Sequence, residues 1–153
     1  MGKFLNQIIL LLLLYPSHRA CPLYGFGYTE GMPSQTDSDI SLFAGISGDT
    51  NPVHLNEEFA SKTMFKGRIA HGLLTASFLS TVIGTKLPGP GCIYVSQNLR
   101  FKAPVRSGDT VTAKCTITKL IKEKKFIEVK TVCLVGETVV VDGEAIIMVP
   151  SKA

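Results

Sequence analysis

The chain has 153 residues, of which 45% are apolar and 18% charged, a balance that excludes a disordered chain and suits one domain with a real core. Its net charge of +4 is modest, and its basic residues are scattered except at Lys122, Lys124 and Lys125. That cluster suits a solvated hairpin tip, so no nucleic-acid partner is expected. Cys21, Cys92, Cys115 and Cys133 form no CxxC pair, which leaves no zinc or redox motif and makes reduced thiols the default.

Residues 1–31 are expected to be a leader or targeting segment, with the folded domain occupying 32–153. The run Ile8 to Leu14 is wholly apolar and preceded only by Lys3, as in a secretory signal, but it is too short to span a bilayer. The region SHRAC places His18 two positions before the small Ala20, a poor cleavage site. A mitochondrial presequence is the competing expectation, because no acidic residue precedes Glu30.

Gly25 to Ser34 reads as a loop. Thr36, Asp37 and Ser38 then offer helix caps before ISLFAGIS, whose Ile40, Phe43 and Ile46 recur at helical spacing, and the helix ends near Gly48. A second short helix is predicted over Asn56 to Thr63, with Glu57 and Glu58 in its first turn complementing the helix dipole. His71 to Leu87 carries no charge before Lys86, which predicts a helix enclosed by the rest of the fold. Along it Gly72, Ala76 and Ser80 make one stripe of small side chains.

From Ile93 the period changes to two. Thr110 to Ile121 puts Val111, Ala113, Cys115 and Ile117 on one face. With Ile93 to Lys102, Phe126 to Val135 and Thr138 to Val149, this predicts four antiparallel strands linked by short turns at residues 122–125 and 136–137. Helices followed by strands mark an α+β domain, one helix against a curved antiparallel sheet.

The stretch SGDTNPVH, residues 47–54, holds one carboxylate and one imidazole among turn formers. Asp49 and His54 are five residues apart, up to about 17 Å if extended, but Gly48, Asn51 and Pro52 favour a bend that lets them converge. A carboxylate beside an imidazole can share protons with a bound water, which addition of water to an activated carbon chain requires. Taken alone, the octapeptide also suits a plain Asx-turn followed by a satisfied histidine. His71 and Gly72 open the apolar helix, where unpaired backbone N–H groups favour developing negative charge. An enolate oxygen held by the Gly72 amide would fit there, while His71 is expected to serve as a cap or hydrogen-bonded linker.

The runs FAGISGDTNPVHLNEEFA, IAHGLLTASFLS, GTKLPGPGCIYVSQNLRFKAPVRSGDTVTA and VVDGEAIIMVP resemble the MaoC-like, (R)-specific enoyl-thioester hydratases of the hot-dog fold. HLNEEFA, PGPGC and the MVP ending resemble most the mitochondrial 3-hydroxyacyl-thioester dehydratases of type 2. The resemblance implies reversible dehydration of an (R)-3-hydroxyacyl thioester on acyl carrier protein or coenzyme A, in fatty acid synthesis. It implies that Asp49 and His54 are catalytic, that the Gly72 amide binds the thioester oxygen, and that Asn51 and His71 support them. Ala76, Ser80 and Ile83 would line the acyl pocket, the bulk of Ile83 limiting chain length. A homodimer joined through sheet edges is implied as well; no cofactor or metal is expected. One departure stands out: the family's usual strand before the first helix is not legible in CPLYGFGYTEGMPSQ. A hot-dog thioesterase would ordinarily place a carboxylate on the central helix, and His71 to Leu87 holds none. A non-catalytic acyl-binding module would not need the Asp49 and His54 pair.

Overall fold

The computed structural model describes residues 27–121 and 124–149. The leader, with its secretory and mitochondrial readings, lies outside these residues except for its last few positions. So does the tip of the predicted turn at 122–125, at residues 122 and 123.

Five strands form one antiparallel sheet in the order β1-β3-β4-β5-β2. They are β1 (Gly27–Ser34), β2 (Ile93–Phe101), β3 (Thr110–Ile121), β4 (Phe126–Val135) and β5 (Thr138–Met148). Strand β1 corrects the sequence reading, which saw a loop there and four strands in all. It pairs with β3 from Gly27 opposite Thr116 to Ser34 opposite Thr110, with a register shift between Gly31 and Ser34. As an edge strand it needs a partner on one side only, so a Gly- and Pro-containing segment is tolerated there. Residues 27–31, assigned to the leader, therefore belong to the sheet.

Four helices fill the connections: α1 (Asp37–Ser47), α2 (Pro52–Leu55), α3 (Glu57–Ser61) and α4 (Gly72–Thr85). Helix α1 starts where the caps predicted it. The Thr36 hydroxyl accepts from the Asp39 N–H at 3.2 Å, and the Asp39 carboxylate accepts from the Thr36 N–H at 2.8 Å, a reciprocal capping box. The Thr36 hydroxyl, and then its backbone N–H, hold the Asp39 carboxyl below its ordinary pKa. The helix stops at Gly48, which is left-handed at φ 77°.

The core lies between α4 and the sheet. Leu79, Val82 and Ile83 of α4 meet Val111, Ala113, Cys115 and Ile117 of β3, Val129 and Cys133 of β4, and Ala145 and Ile147 of β5. The alternation read from β3 is thus its packing face. Cys115 and Cys133 are free and fully buried, and burial pushes both thiols up to about 12, so they behave as small apolar groups.

Helix α4 departs from its expected enclosure. One side is buried, through Thr75, Leu79, Val82 and Ile83, whereas Leu73, Ser77, Ser80, Thr81 and Gly84 are exposed. Ser, Thr and Gly are nearly neutral in hydropathy, so a helix without charges can still present a mild face to solvent. None of the described helices is long and apolar enough to cross a membrane.

At Gly143 the sheet admits no side chain. A Cβ there would lie 1.9 Å from the Asn98 carbonyl oxygen of β2 and 3.0 Å from Gln97 Nε2, and that Gln97 amide donates to the buried Thr131 hydroxyl at 3.0 Å. Backbone cannot move aside as a side chain can, so Gly143→Ala should lower stability by about 1–3 kcal/mol in urea unfolding, the cost of overpacking a close-packed site.

Candidate active site

A cavity of ≈ 590 Å³ opens beside the N-terminus of α4. Asp49, His54, His71 and Gly72 all line it. Local bonds shape the loop that carries the first two. Asp49 Oδ1 accepts from the Asn51 N–H at 3.2 Å, and Asn51 Oδ1 accepts from the Val53 N–H at 3.2 Å. Two successive Asx-type turns reverse the chain and, with Pro52 at the first helical position, start the four-residue α2. The bend inferred from Gly48, Asn51 and Pro52 is thereby confirmed, although α2 itself was not foreseen.

His54 is 8% exposed. Its Nδ1 lies 2.8 Å from the Ile69 carbonyl oxygen, so Nδ1 carries the proton and donates, which leaves Nε2 with a free lone pair. Ile69 is itself held, its N–H donating to the Val53 carbonyl at 3.3 Å, and the next N–H, of Ala70, donates to the Val105 carbonyl at 2.7 Å. A carboxylate oxygen of Asp49 and one ring nitrogen from each of His54 and His71 fall within 4.8 Å of one another.

These three groups have the composition of a metal site, a set that sequence reading did not assemble. Their geometry does not fit one. The His54 and His71 rings are stacked, centroids 3.8 Å apart and planes inclined by 30°, so their in-plane lone pairs run side by side rather than toward a shared point. Each ring gives one nitrogen to a backbone carbonyl, His54 to Ile69 and His71 to Asp49, which is compatible with ligation by the other nitrogen, so the misfit rests on the stacking. A tetrahedral ligand set needs lone pairs that converge.

Gly72 has a close neighbour. A Cβ there would lie 2.6 Å from Phe101 Cε1, so the absent side chain makes room for a ring that itself lines the cavity. His71 precedes α4 as its N-cap but makes no side-chain capping bond, which corrects the cap expectation; its role as a hydrogen-bonded linker is what the structure retains. Of the residues expected along an acyl pocket, none lines this cavity in the single chain. Ser80 is exposed, Ile83 is fully buried in the core, and Ala76 packs half-buried against it, because the stripe turns away from the cavity as the helix proceeds.

Sequence reasoning missed Thr75, Phe43, Ser47 and Phe101 on the cavity wall. Two helical spacings contained three of them: Phe43 and Ser47 are i, i+4 on α1, and Thr75 stands four residues after His71. Of Arg100, Lys102 and Arg106, basic residues near the strand ends, only Lys102 lines the cavity. Arg106 spends its guanidinium on the carbonyls of Phe65 and Arg68, and Arg100 is exposed on β2.

Comparison with known proteins places this geometry. The family described as MaoC like domain matches residues 28–141. An (R)-specific enoyl-CoA hydratase of Rhodospirillum rubrum is 61% identical over 117 residues, covering 76% of this chain and 81% of that protein. A mitochondrial 3-hydroxyacyl-[acyl-carrier-protein] dehydratase of Arabidopsis thaliana is 36% identical over 120 residues, covering 76% of this chain and 71% of that protein. The bacterial likeness is therefore the stronger of the two, against the expectation of a nearest resemblance to the mitochondrial type. Among solved structures, an (R)-hydratase from A. caviae involved in PHA biosynthesis superposes with a TM-score of 0.79 at 38% identity, over 86% of this chain and all of that one (100%). This is the hot-dog fold that the family resemblance implied, and it contains the helix and antiparallel sheet read from the periodicity.

The double turn yields a direct test. Asn51→Ala removes the acceptor for the Val53 N–H and should cost about 1 kcal/mol in denaturant unfolding, while Asn51→Asp, which keeps that acceptor, should cost less than half as much.

Proposed function

We propose, from the premise that this chain belongs to the MaoC-like domain family, that it adds water reversibly to a trans-2-enoyl thioester to give the (R)-3-hydroxyacyl thioester. The protein is a hydro-lyase. The observation that carries the detailed reading is the shared cavity of Asp49, His54 and the Gly72 end of α4.

The chemistry follows from these positions. The thioester oxygen accepts from the Gly72 N–H at the positive end of the helix, so negative charge that develops on the oxygen during attack is met by a fixed dipole. A water held by the Asp49 carboxylate and the free Nε2 of His54 delivers its oxygen to C3. One proton passes from that water to the pair, and one proton passes from the pair to C2, so the pair ends as it began. The proton transfers belong to the pair. Because the Ile69 carbonyl holds Nδ1–H, His54 presents one tautomer to the water throughout.

Coenzyme A thioesters are the substrates this reading favours, supported by the Rhodospirillum relative. Lys102 on the cavity wall would attract the phosphates of the carrier. Acyl-carrier-protein substrates, and with them a place in fatty acid synthesis, are the narrower version, supported by the plant relative. We also infer a homodimer. Strand β2 is a sheet edge that carries exposed Ile93, Val95 and Phe101, and α4 exposes Leu73 at 59%, surfaces that a second copy would cover. A thioesterase finds no carboxylate on α4 to use.

Hydration of crotonyl-coenzyme A, followed by loss of the enoyl-thioester absorbance, tests the reading. Asp49→Asn and His54→Ala should each lose at least about 100-fold in kcat, Asp49→Asn with an unfolding midpoint near that of the parent. Unchanged rates in both would defeat it, and binding without turnover by the parent would favour an acyl-binding module. The same assay with crotonyl-acyl carrier protein decides the carrier. For the dimer, sedimentation should give twice the monomer mass, and Val95→Lys should shift it toward the monomer; a monomeric parent contradicts the inference.

A further inference from the structure

We propose that His71 is a positioning residue that joins Asp49 and His54 into one rigid unit. Its Nε2–H donates to the Asp49 main-chain carbonyl at 2.9 Å, across 22 residues of sequence. Its ring carries the His54 imidazole at a centroid distance of 3.8 Å, with Phe43 closing against it at 5.1 Å. The next residue is Gly72, whose amide faces the proposed oxyanion. A single side chain thus registers the carboxylate loop, the imidazole and the helix end against one another. This inference rests on the proposed hydration reaction, in which all three act on one substrate.

The simpler explanations for a histidine at this place fail. It does not cap α4, since it makes no side-chain bond to the first turn. Nor is it a fully satisfied core group: it is 2% exposed, and its Nδ1 is buried with no hydrogen-bond partner among the described residues. Burying an unpaired ring nitrogen destabilises a fold, and such groups recur where function requires them. Phenylalanine would supply the flat face without the orphan nitrogen, and glutamine would supply a donor without the flat face. Imidazole supplies both, a ring to stack and an N–H at its far end. The Asp49 carboxylate accepts from the Asn51 N–H and the Asp49 amide donates to the Ser47 hydroxyl, both within the same local turn; the His71 bond fixes the main chain from which that carboxylate projects.

The prediction is a variant that keeps or gains stability while losing rate. Steady-state hydration of crotonyl-coenzyme A and thermal unfolding are measured for the parent, His71→Phe and His71→Gln. In His71→Phe, kcat should fall at least about tenfold, since small misplacements of reacting groups have large effects, with KM within about twofold and Tm equal to or above the parent's. In His71→Gln, the retained donor should restore part of the kcat lost in His71→Phe. Parent-like kcat in His71→Phe, or a loss of kcat matched by a fall in Tm and a rise in KM, overturns the proposal. Should the parent itself not turn over, the hydratase reading fails separately. Positioning is then judged from imidazole 1H–15N spectra, where His71→Phe must shift and broaden the His54 ring signals; unaltered signals would overturn it.

Discussion

The bond from the His54 ring to the Ile69 carbonyl sets what the rest of the site can do. A buried imidazole with both nitrogens free would rotate and exchange tautomers, and its lone pair would have no fixed direction. Here Nδ1–H is held at 2.8 Å, and the acceptor belongs to a segment whose own amides reach Val53 on one side and Val105 on the other. The imidazole is therefore referenced both to its own short helix, at Val53, and to the chain beyond the central helix, at Val105. Asp49 has no comparable anchor of its own, which is why the turn at Asn51 and the contact with His71 matter for its carboxylate.

The fold separates two tasks. Strands β3 to β5 and the buried side of α4 form a close-packed base, with Val82, Ile83, Val111 and Val129 fully enclosed. The reacting groups sit on the connections between α1 and α4, where backbone is free to turn and donors face a cavity. Phe101 links the two, as the last residue of β2 and as the ring against Gly72. Its ring is also 55% exposed, on the sheet-edge strand where we infer the contact with a second copy.

What the sequence revealed followed from how local each cause is. The alternation of Thr110 to Ile121 and the cap at Thr36 depend on neighbours a few residues away, and both are legible in the chain. The pairing of Asp49 with His54 was legible too, because Asn51 and Pro52 between them carry the turn chemistry. Strand β1 was not, since Gly27, Gly31 and Pro33 read as breakers, and only its pairing with β3 makes the segment a strand. The open face of α4 was misread because Ser77, Ser80 and Thr81 carry no charge to mark solvent. The tie between His71 and Asp49 could not be seen at all, since a side chain reaching a distant backbone carbonyl leaves no trace in periodicity.

If a water shared by Asp49 and His54 attacks one face of an enoyl thioester bound at Gly72, the product carries its own record of the geometry. The decisive measurement is proton NMR of the product formed from crotonyl-coenzyme A in deuterium oxide, with its configuration determined by chiral chromatography. The account predicts a 3-hydroxybutyryl thioester of (R) configuration with a single deuterium at C2, and none of it from the Asp49→Asn protein on the same time scale. Crotonyl thioester left unchanged by the parent, a racemic product, or the same labelled product from Asp49→Asn at the parent's rate would contradict it.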